Sequence, residues 1–321
     1  MAQQINFPIF SLPYLAIEDI LKEMDYETKF RLSQCSNRSK IIVQTKRVSY
    51  LAVMLSVNSG SMIFMTREIG EHSINRCTAG IMVSDRICSI DKLICNKVVE
   101  KKEFPTSCTS RMLKELGMLF SSPNTIIEHF VVRSSKDLVS FERQRFLREF
   151  RKMLRNLGHE LKVKKFEIFT SDETMLLNFL SALNTEYLES IKITAPRAML
   201  LKKTVKSDQW KKAQKIIANG AIKLSMDEIL QIPKVVTKCS LSLEQMNVLF
   251  RRIRESGTFQ FLQLFQYIHG EQGLEAAGLQ FQFEPSSKMY TYKEDGFTIT
   301  VEIREVNDKP PTLFIKKQQH S

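Results

Sequence analysis

Long apolar runs are missing from this sequence. A membrane helix needs roughly twenty consecutive apolar residues, and the best run here, Tyr50 to Val57, is the length of a strand. The opening "MAQQINFPIF" has neither a basic n-region nor an apolar h-region, so no secretory signal is expected. Catalytic signatures are absent too. There is no G-x-S-x-G elbow and no H-E-x-x-H. Of the eleven glycines, those in "HGEQGLEAAG" at 269–278 are not followed by the Lys-Ser/Thr of a phosphate-cradling loop. His72, His129, His159, His269 and His320 have no paired ligand spacing. No catalysis, cofactor or metal is therefore expected. Six cysteines (Cys35, Cys77, Cys88, Cys95, Cys108 and Cys239) contain no C-x-x-C. A chain of this size does not need disulfide staples, so they read as buried thiols in a reducing compartment, the cytoplasm or the nucleus.

What is present is a basic chain of ordinary composition. Its 321 residues are 43% hydrophobic and 26% charged, with a net charge of +12, enough for one large domain or two ordinary ones. The charge raises nucleic acid as a partner, but its distribution argues against that. Arg145, Arg148, Lys152 and Arg155 recur at three- and four-residue steps opposite Phe146, Phe150, Met153, Leu154 and Leu157, the pattern of an amphipathic helix with a solvated basic face. The clusters Lys162–Lys165, Lys202–Lys206, Lys211–Lys215 and Arg251–Arg254 are scattered, without interleaved exposed aromatics.

The amino-terminal stretch "SLPYLAIEDILKEMDYETKFRLSQCSNRSK", residues 11–40, is densely patterned. Ser11 can cap a helix with Pro13 in its first turn. Ile17, Ile20, Leu21 and Met24 then form a stripe at i, i+3, i+4 and i+7. Asp25 can cap a second helix carrying Phe30 and Leu32, and Ser36 or Asn37 a third containing Ile41 and Ile42. Three short helices cannot bury all this apolar surface among themselves. Each fully buried Leu or Ile contributes about 1.5–3 kcal/mol, so a partner surface is expected, with docking of the helices on the rest of this chain as the alternative.

"LPYLAIEDILKEMD" and "KFRLSQCSNRSK" resemble the two halves of an F-box over residues 7–47. The resemblance implies docking on the Skp-family adaptor of a cullin-based SCF ubiquitin ligase, with Leu12, Pro13, Ile17, Ile20, Leu21, Phe30 and Leu32 in or behind the interface. Ser39 stands where many F-boxes carry Trp.

From residue 124 the chain alternates strands with helices. Ile127-x-x-Phe130-x-Val132, Val163-x-x-Phe166-x-Ile168, Leu188-x-x-Ile191-x-Ile193, Val236-x-x-Cys239-x-Leu241 and Phe259-x-x-Leu262-x-Leu264 share the L-x-x-L-x-L spacing of leucine-rich repeats, with Ile222 and Leu224 as a degraded copy. Between them, Leu176, Leu177, Leu180 and Leu183, after a cap region at Thr170–Asp172, and Met246, Leu249, Phe250 and Ile253, after a Ser242/Gln245 capping box, read as helices. "LQFQFEP" and "FTITVEI" alternate with period two, and Asp295-Gly296 suits a hairpin turn. In residues 48–123, "SYLAVMLSV" and "MIFMT" read as strands and Ser110–Phe120 as a helix with Leu113, Leu116 and Phe120 inward.

The expected fold is α/β: a three-helix F-box at 5–47, a connecting α+β segment at 48–123, and an irregular leucine-rich-repeat-like curved parallel sheet with helices at 124–315. A small antiparallel sheet ends this last domain, and residues 316–321 are a mobile tail. "SLSLEQMNVLFRRIRESGTFQFLQLF" and "YKEDGFTITVEI" resemble the nematode F-box proteins that carry a type-2 F-box-associated domain, thought to capture substrates. The resemblance implies a non-enzymatic substrate receptor that joins an unknown target protein to the adaptor and, through it, to a cullin. Two alternatives stay open: a basic repeat protein that binds nucleic acid, and an F-box scaffold acting outside ubiquitination.

Overall fold

The computed structural model describes residues 14–24, 28, 32, 35–36, 39, 41–42, 49–57, 61–68, 77–84, 87–94, 97–104, 108–134, 141–238, 243–265, 282–284, 289–294, 296–306 and 309–320. The chain is α/β and divides into two compact units, residues 1–133 with 137–163 and residues 134–136 with 164–321. No helix among the described residues is long and apolar enough to cross a membrane.

The first unit opens with helix α1, Tyr14–Glu23. An antiparallel meander follows: β1 (Ser49–Val57), β2 (Ser61–Glu68), β3 (Cys77–Ser84), β4 (Ile87–Ile94) and β5 (Lys97–Phe104). The period-two pattern of β1 turns Val53 and Leu55 fully inward. Beyond it come α2 (Cys108–Phe120), β6 (Ile126–Ser134), which lies beside β1, and α3 (Phe141–Arg155). Leu116 and Phe120 of α2 are buried as the sequence pattern predicts, while Leu113 is half-buried. Phe120 meets Phe130 edge-on at 5.7 Å and Phe150 at 6.2 Å, and Phe146 stacks on Phe150 at 5.7 Å. The His159 ring spans two carbonyls, with Nδ1 3.0 Å from Leu157 O and Nε2 3.0 Å from Phe120 O, so it ties the end of α2 to the turn after α3. Arg145, Arg148, Lys152 and Arg155 are exposed, as expected of a solvated helix face.

In the second unit five parallel strands lie in chain order, β7 (Lys162–Phe169), β8 (Ser190–Leu200), β9 (Lys215–Lys223), β10 (Lys234–Lys238) and β11 (Phe261–Phe265). Their crossovers carry α4 (Glu173–Leu180), the 3-10 turn Thr204–Lys206, α5 (Asp208–Lys212), α6 (Met226–Leu230) and α7 (Leu243–Glu255). Asp172 caps α4, accepting from Thr174 N at 2.8 Å and Met175 N at 3.2 Å. Ser225 and Glu228 form a reciprocal capping box on α6. Leu176, Leu180 and Leu183 are sealed, as are Met246, Leu249, Phe250 and Ile253. Ser242, the expected cap of α7, lies outside the described residues.

The strand registers align three buried columns. Phe166, Ile191, Ile216, Val235 and Leu262 form one, and Ile168, Ile193, Ala218, Thr237 and Leu264 the next. Three residues before each member of the first column stand Val163, Leu188, Ala213, Ile232 and Phe259, all buried. The residues named from sequence in β7, β8 and β11 are buried at these places, as are Ile222, Leu224 and Val236 outside them, while Cys239 and Leu241 lie outside the described residues. In the register, Ala213, Ile216 and Ala218 take these places at β9, and Ile232, Val235 and Thr237 at β10. Alanines and a threonine fill places where large aliphatic residues were sought. With this register the copies start at 163, 188, 213, 232 and 259, intervals of 25, 25, 19 and 27 residues.

The sheet continues antiparallel from β11 through β15 (Lys309–Gln319), β14 (Phe297–Val306), β13 (Met289–Glu294) and β12 (Gln282–Glu284). Glu294 pairs with Phe297 across the expected two-residue turn, where Gly296 has φ of 87°. One expectation is corrected. Residues 316–319, expected as part of a mobile tail, are the last part of β15, paired with β14 along its length. Ile127, Phe130 and Val132 of β6, the strand at which the array was expected to begin, are buried.

Candidate functional site

In the amino-terminal segment, Ile17 and Leu21 sit one turn apart on α1 and are 6% and 4% exposed. Ile20 and Met24 are half-buried and Asp19 is exposed. Thr28, Leu32, Cys35, Ser39, Ile41 and Ile42 are helical. Ser36 Oγ accepts from Ser39 N at 3.0 Å, as a helix cap does, and Ser39 itself is fully buried. The stripe that was expected to be kept for another molecule is thus split: Ile17 and Leu21 are turned into the protein, and Ile20 and Leu32 are partly accessible. Leu12, Pro13 and Phe30 lie outside the described residues. Ile41, 59% exposed, is an apolar side chain to which the sequence reading gave no role. Cys35 is exposed, against the expectation of buried thiols.

The second unit carries a polar knot where α7 ends against β13, β14 and β15. Lys317 is 7% exposed, and its Nζ donates to Ile253 O at 2.9 Å and to Arg254 O and Ser256 O at 2.8 Å. These are carbonyls that a helix end leaves without intrahelical donors. The ammonium also lies 4.3 Å over the Phe297 ring. Burial pulls the Lys317 amine below its ordinary value, against a smaller upward pull from Glu294. Glu294 accepts from Arg254 Nη2 at 2.6 Å and from Tyr292 OH at 3.0 Å. The Arg254 bond leads in holding its carboxyl below the ordinary 4.5. A carboxylate with a depressed folded-state pKa contributes stability above its unfolded value and loses it as pH falls through the folded one. The melting advantage of the native chain over Glu294→Gln is therefore expected to be present at neutral pH and to shrink well below pH 4.5. A gap independent of pH in thermal melts would contradict this. The knot ties the end of α7 to β13 and β15.

Residues on the opposite face of the same sheet are less deeply buried among the described residues. Glu167, Lys192, Ile217, Gln263 and Phe314 are half-exposed, whereas the neighbours alternating with them along the strands are buried.

A family model for the F-box domain matches residues 9–49, and a model for the FTH domain matches residues 144–272. The chain carries both an F-box domain and an FTH domain. The F-box match encloses all seven residues singled out from the sequence, and the associated domain, of the nematode type, is an FTH domain. F-box domains in general serve substrate recognition in SCF complexes, and F-box proteins are typically non-enzymatic adaptors. No curated protein matches the chain. The crystal structure of a probable ornithine cyclodeaminase from Bordetella pertussis Tohama I shares 5% identity over 64% of this chain and 70% of its own. Its TM-score of 0.14 is too low to carry any argument.

Proposed function

We propose that this chain is the substrate-recognition subunit of an SCF-type cullin ubiquitin ligase. The F-box at 9–49 binds a Skp-family adaptor, and the FTH-bearing unit holds a target protein. The observation that carries this reading is the presence of both domains on one chain. The mechanism is proximity: holding the target near a ubiquitin-charged enzyme raises the effective concentration of its lysines, and no reactive group is supplied. The consecutive order of the parallel strands, with three buried columns repeating every 19–27 residues, supports a leucine-rich-repeat-like array as the target-holding body. The chain then acts where SCF ligases act, in the cytoplasm or the nucleus.

The adaptor contact is assigned to Leu12, Pro13, Phe30, Ile20 and Leu32, backed from inside by Ile17 and Leu21, over an interface of about 1,600 Å². Replacing Leu12 and Pro13 together by Ala is expected to abolish co-purification with a Skp-family adaptor, or to weaken it at least tenfold, roughly 1.4 kcal/mol, without lowering the melting temperature of the FTH-bearing unit. Capture equal to that of the native chain would overturn the assignment. Recovery of a cullin with the adaptor separates a ligase subunit from an F-box scaffold.

A further inference from the structure

We propose that the face of the second unit's sheet that carries exposed lysines grips an extended acidic segment of the target, its carboxylates seated on one row of lysines. This deepens the target-holding role above and rests on it. The row is read from the registers. Lys165 lies opposite Ser190, Ser190 opposite Lys215, Lys215 opposite Lys234, Lys234 opposite Phe261, and Phe261 opposite Lys316. Residues opposite one another share a face. The residues following them in β7, β9, β10 and β15, namely Phe166, Ile216, Val235 and Lys317, are buried, while all four lysines are exposed.

No carboxylate interrupts the row, since its other members are Ser190 and Phe261. On the neighbouring row the two acids are already engaged. Glu167 is 3.2 Å from Lys192 Nζ, and Glu302 accepts from Arg304 Nη2 at 2.9 Å. Like charges directly opposite on adjacent strands, as at Lys215 and Lys234, disfavour the pairing, and an anion laid across them reverses that effect. Five interstrand steps of about 4.8 Å give the row a length of roughly 24 Å, the reach of about seven extended residues. Beside it run Ile217 and Phe314, both half-exposed, which offer apolar contact to the side chains between the carboxylates.

The aromatic side chains on this face favour a peptide over a nucleic acid. The Arg304 guanidinium covers the Phe314 ring at 4.5 Å, and Phe261 leans on Phe314 at 6.5 Å, so bases would have to displace those contacts in order to stack.

The test uses the full chain and fluorescence anisotropy. The probes are a labelled heptapeptide alternating Glu and Leu, its Lys-for-Glu counterpart, and a labelled heptauridylate. The acidic peptide alone is expected to bind, more weakly as salt rises. Lys215→Glu with Lys234→Glu is expected to lose at least about tenfold in affinity. Lys206→Glu with Lys211→Glu, off the row and also exposed, should change it less than about twofold. If the reversed pair lowers the melting temperature, Lys215→Gln with Lys234→Gln replaces it and should still lose severalfold. Undiminished binding by the row variants overturns the proposal, as does tighter binding of the RNA that the row variants abolish. The assay contains no adaptor, so failed adaptor capture leaves this result standing, and failure here leaves adaptor capture untouched.

Discussion

Gly220→Ala is expected to destabilise the second unit by at least about 3 kcal/mol, or to prevent it from folding. Gly220 lies opposite Ala195 where the β8–β9 pairing becomes irregular, the next partners being Met199 and Ile222. Its φ is +85°, in the region that costs an L-residue about 1–2 kcal/mol. A Cβ there would stand 2.1 Å from Ala195 O and 2.9 Å from Ala195 C. Both atoms are backbone, so no side-chain rotation relieves the clash and the ladder itself must move. The comparison is Gly257→Ala, where an added Cβ meets nothing within 4 Å and φ is not positive. That change is expected to fall within about 0.5 kcal/mol of the native chain. Gly158→Ala and Gly296→Ala, with positive φ but open space, should lie between the two. Denaturant melts read all four, and equal midpoints for Gly220→Ala and Gly257→Ala would show that the strand irregularity absorbs the extra carbon.

The three strands legible from sequence, β7, β8 and β11, carry large aliphatic or aromatic residues at all three inward positions. β9 and β10 place Ala213, Ala218 and Thr237 at equivalent positions, so a search for Leu or Ile slides off them onto Ile222 and Val236. Burial there depends on how much room the covering layer leaves, which one strand's sequence does not record. The helix starts were easier, because a cap is local chemistry: Asp172 on α4 is legible, and the Ser225/Glu228 box was there to be read. At the amino terminus the i, i+4 spacing of Ile17 and Leu21 correctly marks one stripe of α1. Periodicity does not tell whether a stripe faces its own protein or a partner, since both remove the same area from water. The lysine row is invisible for another reason. Its members come from four strands separated by up to about 150 residues, and only the register brings them into line.

Lys317→Met is expected to lower stability by about 2–4 kcal/mol, read by urea denaturation. Sequence hides this residue most completely, because "KKQQ" has the composition of a loose end. The methionine keeps an apolar stem but removes the ammonium, leaving the carbonyls of Ile253, Arg254 and Ser256 at the end of α7 without that donor. Each orphaned buried acceptor costs about 1–3 kcal/mol, less wherever water reaches it. Arginine should not rescue, since a planar fork aims its donors along fixed directions and cannot converge on three carbonyls from one nitrogen. A change within about 0.5 kcal/mol would mean that water already serves these carbonyls. The loss should reach the opposite face in a graded way. Lys316 and Lys317 are adjacent on β15 and point to opposite sides of the sheet, so loosening this end of the strand displaces one lysine of the row and leaves Lys165, Lys215 and Lys234 on their own strands. Binding of the acidic peptide to Lys317→Met, measured where the variant is still folded, should therefore weaken less than in the Lys215/Lys234 reversal.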